Sequence, residues 1–166
     1  MQTLICQQCL ESDSLCDICK QRMAIDRITQ IEVEVSRFLF NLSKKVKTLE
    51  DISIEKVINA NTIIIISGNG DGPRLVGKGG TIVKALAKKF GKSIRIIEKT
   101  KDYKQFIQCV IAPSTLKAVN TIYTPTGEKY KLRIKNLDKN STLNEEDIID
   151  LSLAIFNKKV EIVFEN

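Results

Sequence analysis

Histidine is absent from this chain, and so is tryptophan. The first absence removes the commonest general base and a common metal ligand at a stroke. No carboxylate pair stands out to take over acid–base work, so no enzyme is expected. Long apolar runs are missing too: none exceeds four residues, as in Ile63-Ile64-Ile65-Ile66, far short of the ~20 residues of a membrane-spanning helix. The N-terminus carries no basic region followed by an apolar one, and it reaches cysteines at once. A soluble, cytoplasmic protein is the expectation.

What is present points to one or two small domains: 166 residues, 43% of them apolar, are enough for a sizeable core. The net charge is +6, and it is concentrated. Residues 72–104 hold ten Lys or Arg against Glu98 and Asp102, which leaves the rest of the chain slightly acidic. A run of lysines by itself is a solvated face; the whole excess gathered in one stretch suits an anionic polymer partner.

That stretch is organised around GPRLVGKGGTIVKALAKKFGKSIRIIE, residues 72–98. It reads as a helical turn, a glycine loop, an amphipathic helix and a strand. Val83, Leu86, Ala87 and Phe90 recur at helical spacing and should face a core, with Lys84, Lys88 and Lys89 pointing away. Gly91 supplies the helix stop. Gly77, Gly79 and Gly80 let backbone approach backbone, and a lysine-bearing loop opening a helix is suited to phosphate. Gly72-x4-Gly77-Lys78 nearly spells the nucleotide-binding P-loop, but Gly79 stands where that loop needs a magnesium-binding Ser or Thr.

The Gly77-Lys78-Gly79-Gly80 loop between two helices resembles the GxxG loop of a KH domain, which clamps single-stranded nucleic acid by its backbone. The wider stretch, continuing through DYKQFIQCVIAP (102–113), is similar to the archaeal NusA-like proteins, small tandem-KH relatives of the transcription factor NusA. The resemblance covers residues 24–166. It implies RNA binding through Arg74, Gly77, Lys78, Gly79, Gly80, Lys84 and Lys88, with Leu75, Val76, Ile82, Ile94 and Ile96 as candidate walls of a base-binding groove. Taken singly, each wall residue fits plain core better than groove wall. None of the three tyrosines and six phenylalanines is arranged like the stacking residues of an RRM.

On either side of the loop the chain alternates helical and strand patterns. Apolar residues from Ile28 to Val46 form one stripe of a helix over residues 24–47, and strands follow at 53–58 and 62–67. Further strands are expected at 116–124 and 129–135, joined by a turn at Pro125-Thr126-Gly127, then a helix over 144–157 and a strand over 160–164. The second set repeats the first without its glycine loop: residues 136–143 contain no glycine, and Glu145, Glu146 and Asp147 open the helix. Those acids suit a helix dipole and repel phosphate. Cys109, flanked by Ile107, Val110 and Ile111, is expected in the core.

Ahead of all this, Cys6, Cys9, Cys16 and Cys19 form C-x2-C-x6-C-x2-C, two knuckles able to give four thiolates to one tetrahedral zinc. Disulfides or redox thiols are the competing reading. The short spacer requires a tight hairpin, and so small a segment needs the metal to fold. The only charged residues between Cys6 and Cys19 are the acids Glu11, Asp13 and Asp17, so a protein-docking role fits better than nucleic-acid contact.

The expected architecture is therefore α+β: a short N-terminal zinc knuckle or ribbon (1–23), a type II KH domain with its GxxG loop (24–100), and a packed second KH-like unit, degenerate (101–166). The resemblance implies a non-enzymatic single-stranded RNA-binding protein acting as a transcription elongation or termination factor on nascent transcripts near RNA polymerase. The alternative is a ribosome-associated or ribosomal protein on ribosomal RNA; single-stranded DNA also remains open.

Overall fold

The computed structural model describes residues 1–125, 127–135 and 144–165. The elements in order are α1 (Gln7–Glu11), α2 (Asp17–Ala24), α3 (Gln30–Ser43), β1 (Ile54–Asn59), β2 (Ile63–Ser67), α4 (Gly72–Val76), α5 (Thr81–Phe90), β3 (Ile94–Glu98), α6 (Tyr103–Ile111), β4 (Thr115–Thr124), β5 (Gly127–Lys135), α7 (Glu145–Phe156) and β6 (Lys159–Glu165). They form two compact units, Met1–Lys99 and Thr100–Asn166. No described helix is long and apolar enough to cross a membrane.

Each unit holds a three-stranded mixed sheet of the same design. In the first, β2 is central, antiparallel to β1 and parallel to β3. In the second, β5 is central, antiparallel to β4 and parallel to β6. The register slips once early in each first strand, at Glu55 and at Lys117, so the repeat extends to the position of a bulge. The parallel pairings require crossovers, supplied by α4 and α5 in one unit and by α7 in the other.

The first core joins Val35 and Leu39 of α3, Val57 of β1, Ile63 and Ile65 of β2, Leu75 of α4, and Ile82 and Leu86 of α5. All five residues of β2 are buried, which explains a strand written as four isoleucines with no polar alternation. In the second unit Phe106, Ile148, Leu151, Leu132 and Ile134 are fully buried. Phe106 stacks edge-on to Phe156, which in turn meets Tyr103.

The sequence pattern is corrected at two places. The expected helix over 24–47 is shorter at both ends: α2 already ends at Ala24, α3 runs only from Gln30 to Ser43, and Ile28 is buried in the joint between them. Thr29 sets that start, because its backbone N–H and hydroxyl both donate to Glu32 Oε2, at 2.7 and 3.1 Å. The second correction is Cys109, which is exposed. The 102–113 segment is a helix capped by Asp102, and its buried stripe is Phe106, Ile107, Val110 and Ile111, leaving position 109 outward. Thr126 of the expected turn and residues 136–143, where the second glycine loop is missing, lie outside the described residues.

Glu32 does more than start a helix. Its carboxylate is wholly buried, accepts the Val57 N–H of edge strand β1 at 3.2 Å, and pairs with Lys56 Nζ at 3.1 Å. One side chain therefore locks α3 to the open edge of the first sheet.

Candidate nucleic-acid interface and metal centre

The glycine loop occupies the corner between α4 and α5. Gly77, Gly79 and Gly80 all adopt positive φ, at 74°, 63° and 73°, a region costly for residues with a Cβ. Gly77 is doubly required: a Cβ there would sit 2.9 Å from both Ile82 Cγ1 and Thr81 Oγ1. Around Gly79 there is only open space. The chain thus turns sharply, against α5 on one side and outward at Lys78-Gly79 on the other.

Two more carboxylates fix the approach to this corner. Asp71 accepts the Ser53 N–H at 2.9 Å through one oxygen and faces the Arg74 guanidinium at 3.3 Å through the other. Glu98, at the end of β3, accepts the N–H groups of Gly72 (3.0 Å) and Gly70 (3.4 Å), so it holds the start of α4. Gly72 is glycine because a Cβ would meet that carboxylate at 2.6 Å. The signal for Glu98 in the sequence is faint: one acid at the end of a basic strand.

The candidate cations divide by their partners. Lys78 stands exposed at the loop tip. Lys84, one turn into α5, folds back to donate to the Gly79 carbonyl at 3.1 Å, and Lys88 continues the same exposed face. Arg74 is held by Asp71. Lys99 pairs with Glu55 at 2.9 Å, and Lys92 donates to Asn59 Oδ1 and the Ala60 carbonyl at the hairpin turn, so both have duties away from the loop. Of the candidate groove walls, Leu75 and Ile82 are core, Ile94 and Ile96 pack partly against it, and Val76 is exposed.

The four cysteines converge from two like turns. Cys6 caps α1 and Cys9 lies in its first turn; Cys16 caps α2 and Cys19 lies in its first turn. Cys6 Sγ lies 3.4 Å from that of Cys9, 3.7 Å from Cys16 and 3.9 Å from Cys19, and all four sulfurs fall within 4.8 Å of one another. Disulfide bonds, at about 2.05 Å, are absent among them. A tetrahedron built on metal–sulfur bonds of about 2.3 Å has edges of about 3.8 Å, so the cluster is compatible with one metal ion.

The thiols differ in acidity. Burial pushes Cys9 up to about 12 and raises Cys19 as well. The backbone N–H of Cys19 draws Cys16 down to about 7. The Cys16 N–H also donates to Cys9 Sγ at 3.0 Å, the kind of contact that stabilises a thiolate once a metal removes the proton. The cluster does not stand alone: Cys9, Leu10 and Cys19 bury with Ile5, Ile28 and Val33, and Arg37 of α3 donates to the Cys9 carbonyl at 2.9 Å.

No protein-family model matches the chain. Over 66 residues, 40% of its length, it is 38% identical to the probable transcription termination protein NusA of Methanocaldococcus jannaschii. Over 66 residues it is 39% identical to the protein of the same name from Methanococcus vannielii. These alignments span 36% and 38% of the two relatives. The crystal structure of APE1850 shares the fold across 78% of this chain and 96% of its own, with a TM-score of 0.56 at 15% identity. Two fifths of the chain is thus similar to proteins named for transcription termination, in a fold shared with a solved structure.

Proposed function

We propose that the chain is a non-enzymatic single-stranded RNA-binding protein of the NusA-like kind, acting in transcription elongation or termination on nascent RNA near RNA polymerase. Both units are read as type II KH folds, because each runs helix, antiparallel strand pair, crossover helix and parallel third strand. The observation that carries the reading is the glycine loop at the α4–α5 corner. Its three positive-φ glycines leave Lys78 at the tip and Lys84 against Gly79, a place where backbone amides and two cations can meet a phosphate chain. The partial similarity to proteins named NusA supports the transcription role.

In this reading the loop fixes the RNA backbone, Lys88 and Lys89 add a longer-range field, and bases lie along the exposed side of Val76. The four cysteines would hold Zn2+, whose role is structural: with four thiolates it has no open position for chemistry. The loop is tested by the Lys78→Asp, Gly79→Asp double variant. Aspartate is among the few side chains at ease in left-handed backbone, so the fold should survive while single-strand affinity falls at least tenfold. Unchanged affinity would remove the loop as clamp. Crosslinking in the host then separates the roles: reads across nascent transcripts, lost in the variant, support transcription, and reads at one place in ribosomal RNA overturn it.

A further inference from the structure

The second sheet carries a feature that the loop-based reading does not use. Along central strand β5, Tyr130, Leu132 and Ile134 turn towards the buried side, and the alternate positions are Lys129, Lys131, Arg133 and Lys135. Four cations therefore stand in a row on the opposite face, at about 6.8 Å intervals from the strand rise. The central strand of the first sheet, with the same pairing, has isoleucines there.

A sheet face open to solvent needs polar residues, and any polar residues would do. Two observations separate this face from that ordinary case. All four positions are positive, and among the described residues the carboxylates paired with them are Glu161 and Glu165 on β6, at 3.6 Å to Lys131 and 3.1 Å to Arg133. Moreover, Lys159 stands opposite Lys129 in the parallel register, both exposed, which adds a fifth cation to the face. Between the cations lie Ala118 and Ile122 of β4 and Val163 of β6, half-buried, giving an apolar floor. The spacing of the row is close to the step between phosphates on an extended strand.

We infer that the exposed β5 face of the second unit is an additional, sequence-independent RNA-backbone contact, with Lys129, Lys131, Arg133 and Lys135 as its phosphate-facing row. The inference rests on the RNA-binding reading but not on the glycine loop. It gives the unit without a glycine loop a role of its own in holding long RNA.

The test uses the full metal-loaded chain and fluorescein-labelled random-sequence RNA of about 4 nucleotides, the length a GxxG loop clamps, and of about 16. The Lys129→Glu, Lys135→Glu variant should bind the longer RNA at least fivefold more weakly. Its salt slope should fall by about 1.4, two phosphates at ~0.7 each. Binding of the shorter RNA should not change, and Lys129→Arg, Lys135→Arg should behave as wild type. Circular dichroism and the thermal midpoint check that the sheet is intact. Wild-type affinity and slope for the longer RNA in the Glu variant would overturn the inference, as would equal binding of polyglutamate and RNA by the wild-type chain. The Lys78→Asp, Gly79→Asp variant run alongside reports on the loop alone, so failure of one reading is distinguishable from failure of the other.

Discussion

Gly77 and Gly79 stand two residues apart with nearly the same φ, yet they should respond differently to a methyl group. At Gly77 the added Cβ meets Ile82 and Thr81 at 2.9 Å in addition to the backbone strain. At Gly79 only the strain applies. Gly79→Ala should cost about 1 kcal/mol and Gly77→Ala roughly 3, read from urea midpoints. Glu32 is the other residue with a large expected effect. Glu32→Ala strips the buried Val57 N–H, the Thr29 cap and Lys56 of their common acceptor, and should cost about 3 kcal/mol. A cost below ~1 kcal/mol would mean water replaces the carboxylate. The cysteines set a pH dependence with a definite sign. Metal binding needs thiolates, and Cys16 holds its proton below about 7, with Cys9 and Cys19 holding theirs well above. Apparent metal affinity, measured by competition with a chelator, should therefore rise with pH and fall steeply below neutrality.

At the scale of elements, what was legible followed from period and punctuation. The β1–β2 hairpin, the α4–loop–α5 corner and the four-cysteine convergence all announce themselves in spacing. The start of α3 was written as Thr29-Gln30-Ile31-Glu32, a Thr-x-x-Glu capping signal, but the apolar stripe running from Ile28 masked it. The apolar neighbours of Cys109 suggest a core position only if the helical period is ignored; at 100° per residue, 106, 107, 110 and 111 share a face that 109 leaves. Core and groove wall were not separable in sequence: Leu75 and Ile82 are apolar in either role, and packing places both in the core. Asp71 and Glu98 were illegible, since nothing local says that a carboxylate will reach N–H groups across a loop. Glu98→Ala should accordingly loosen the start of α4, seen as faster amide exchange at Gly70 and Gly72, with the β2–β3 pairing retained.

For the molecule as a whole, the two units predict a divided response to metal removal. Chelation should release the hydrogen-exchange protection of α1, α2 and the ends of α3, while amides of β4, β5 and β6 keep theirs. Loss of protection in both units together would mean that they unfold as one. Helix α3 explains why the damage should not stop at the cysteines. One side of it, with Val33 and Phe40, belongs to the thiol cluster, and the other, with Val35 and Leu39, belongs to the sheet core. A metal ion held by the four thiolates, zinc in the proposed reading, would then act as a distant ligand of the first sheet by mass action: once above its dissociation constant, each tenfold rise in free metal would add about 1.4 kcal/mol to that unit's stability. On the proposed reading, a helix shared between two cores would thus turn the free metal level into a setting for how much of the glycine-loop surface this chain presents folded.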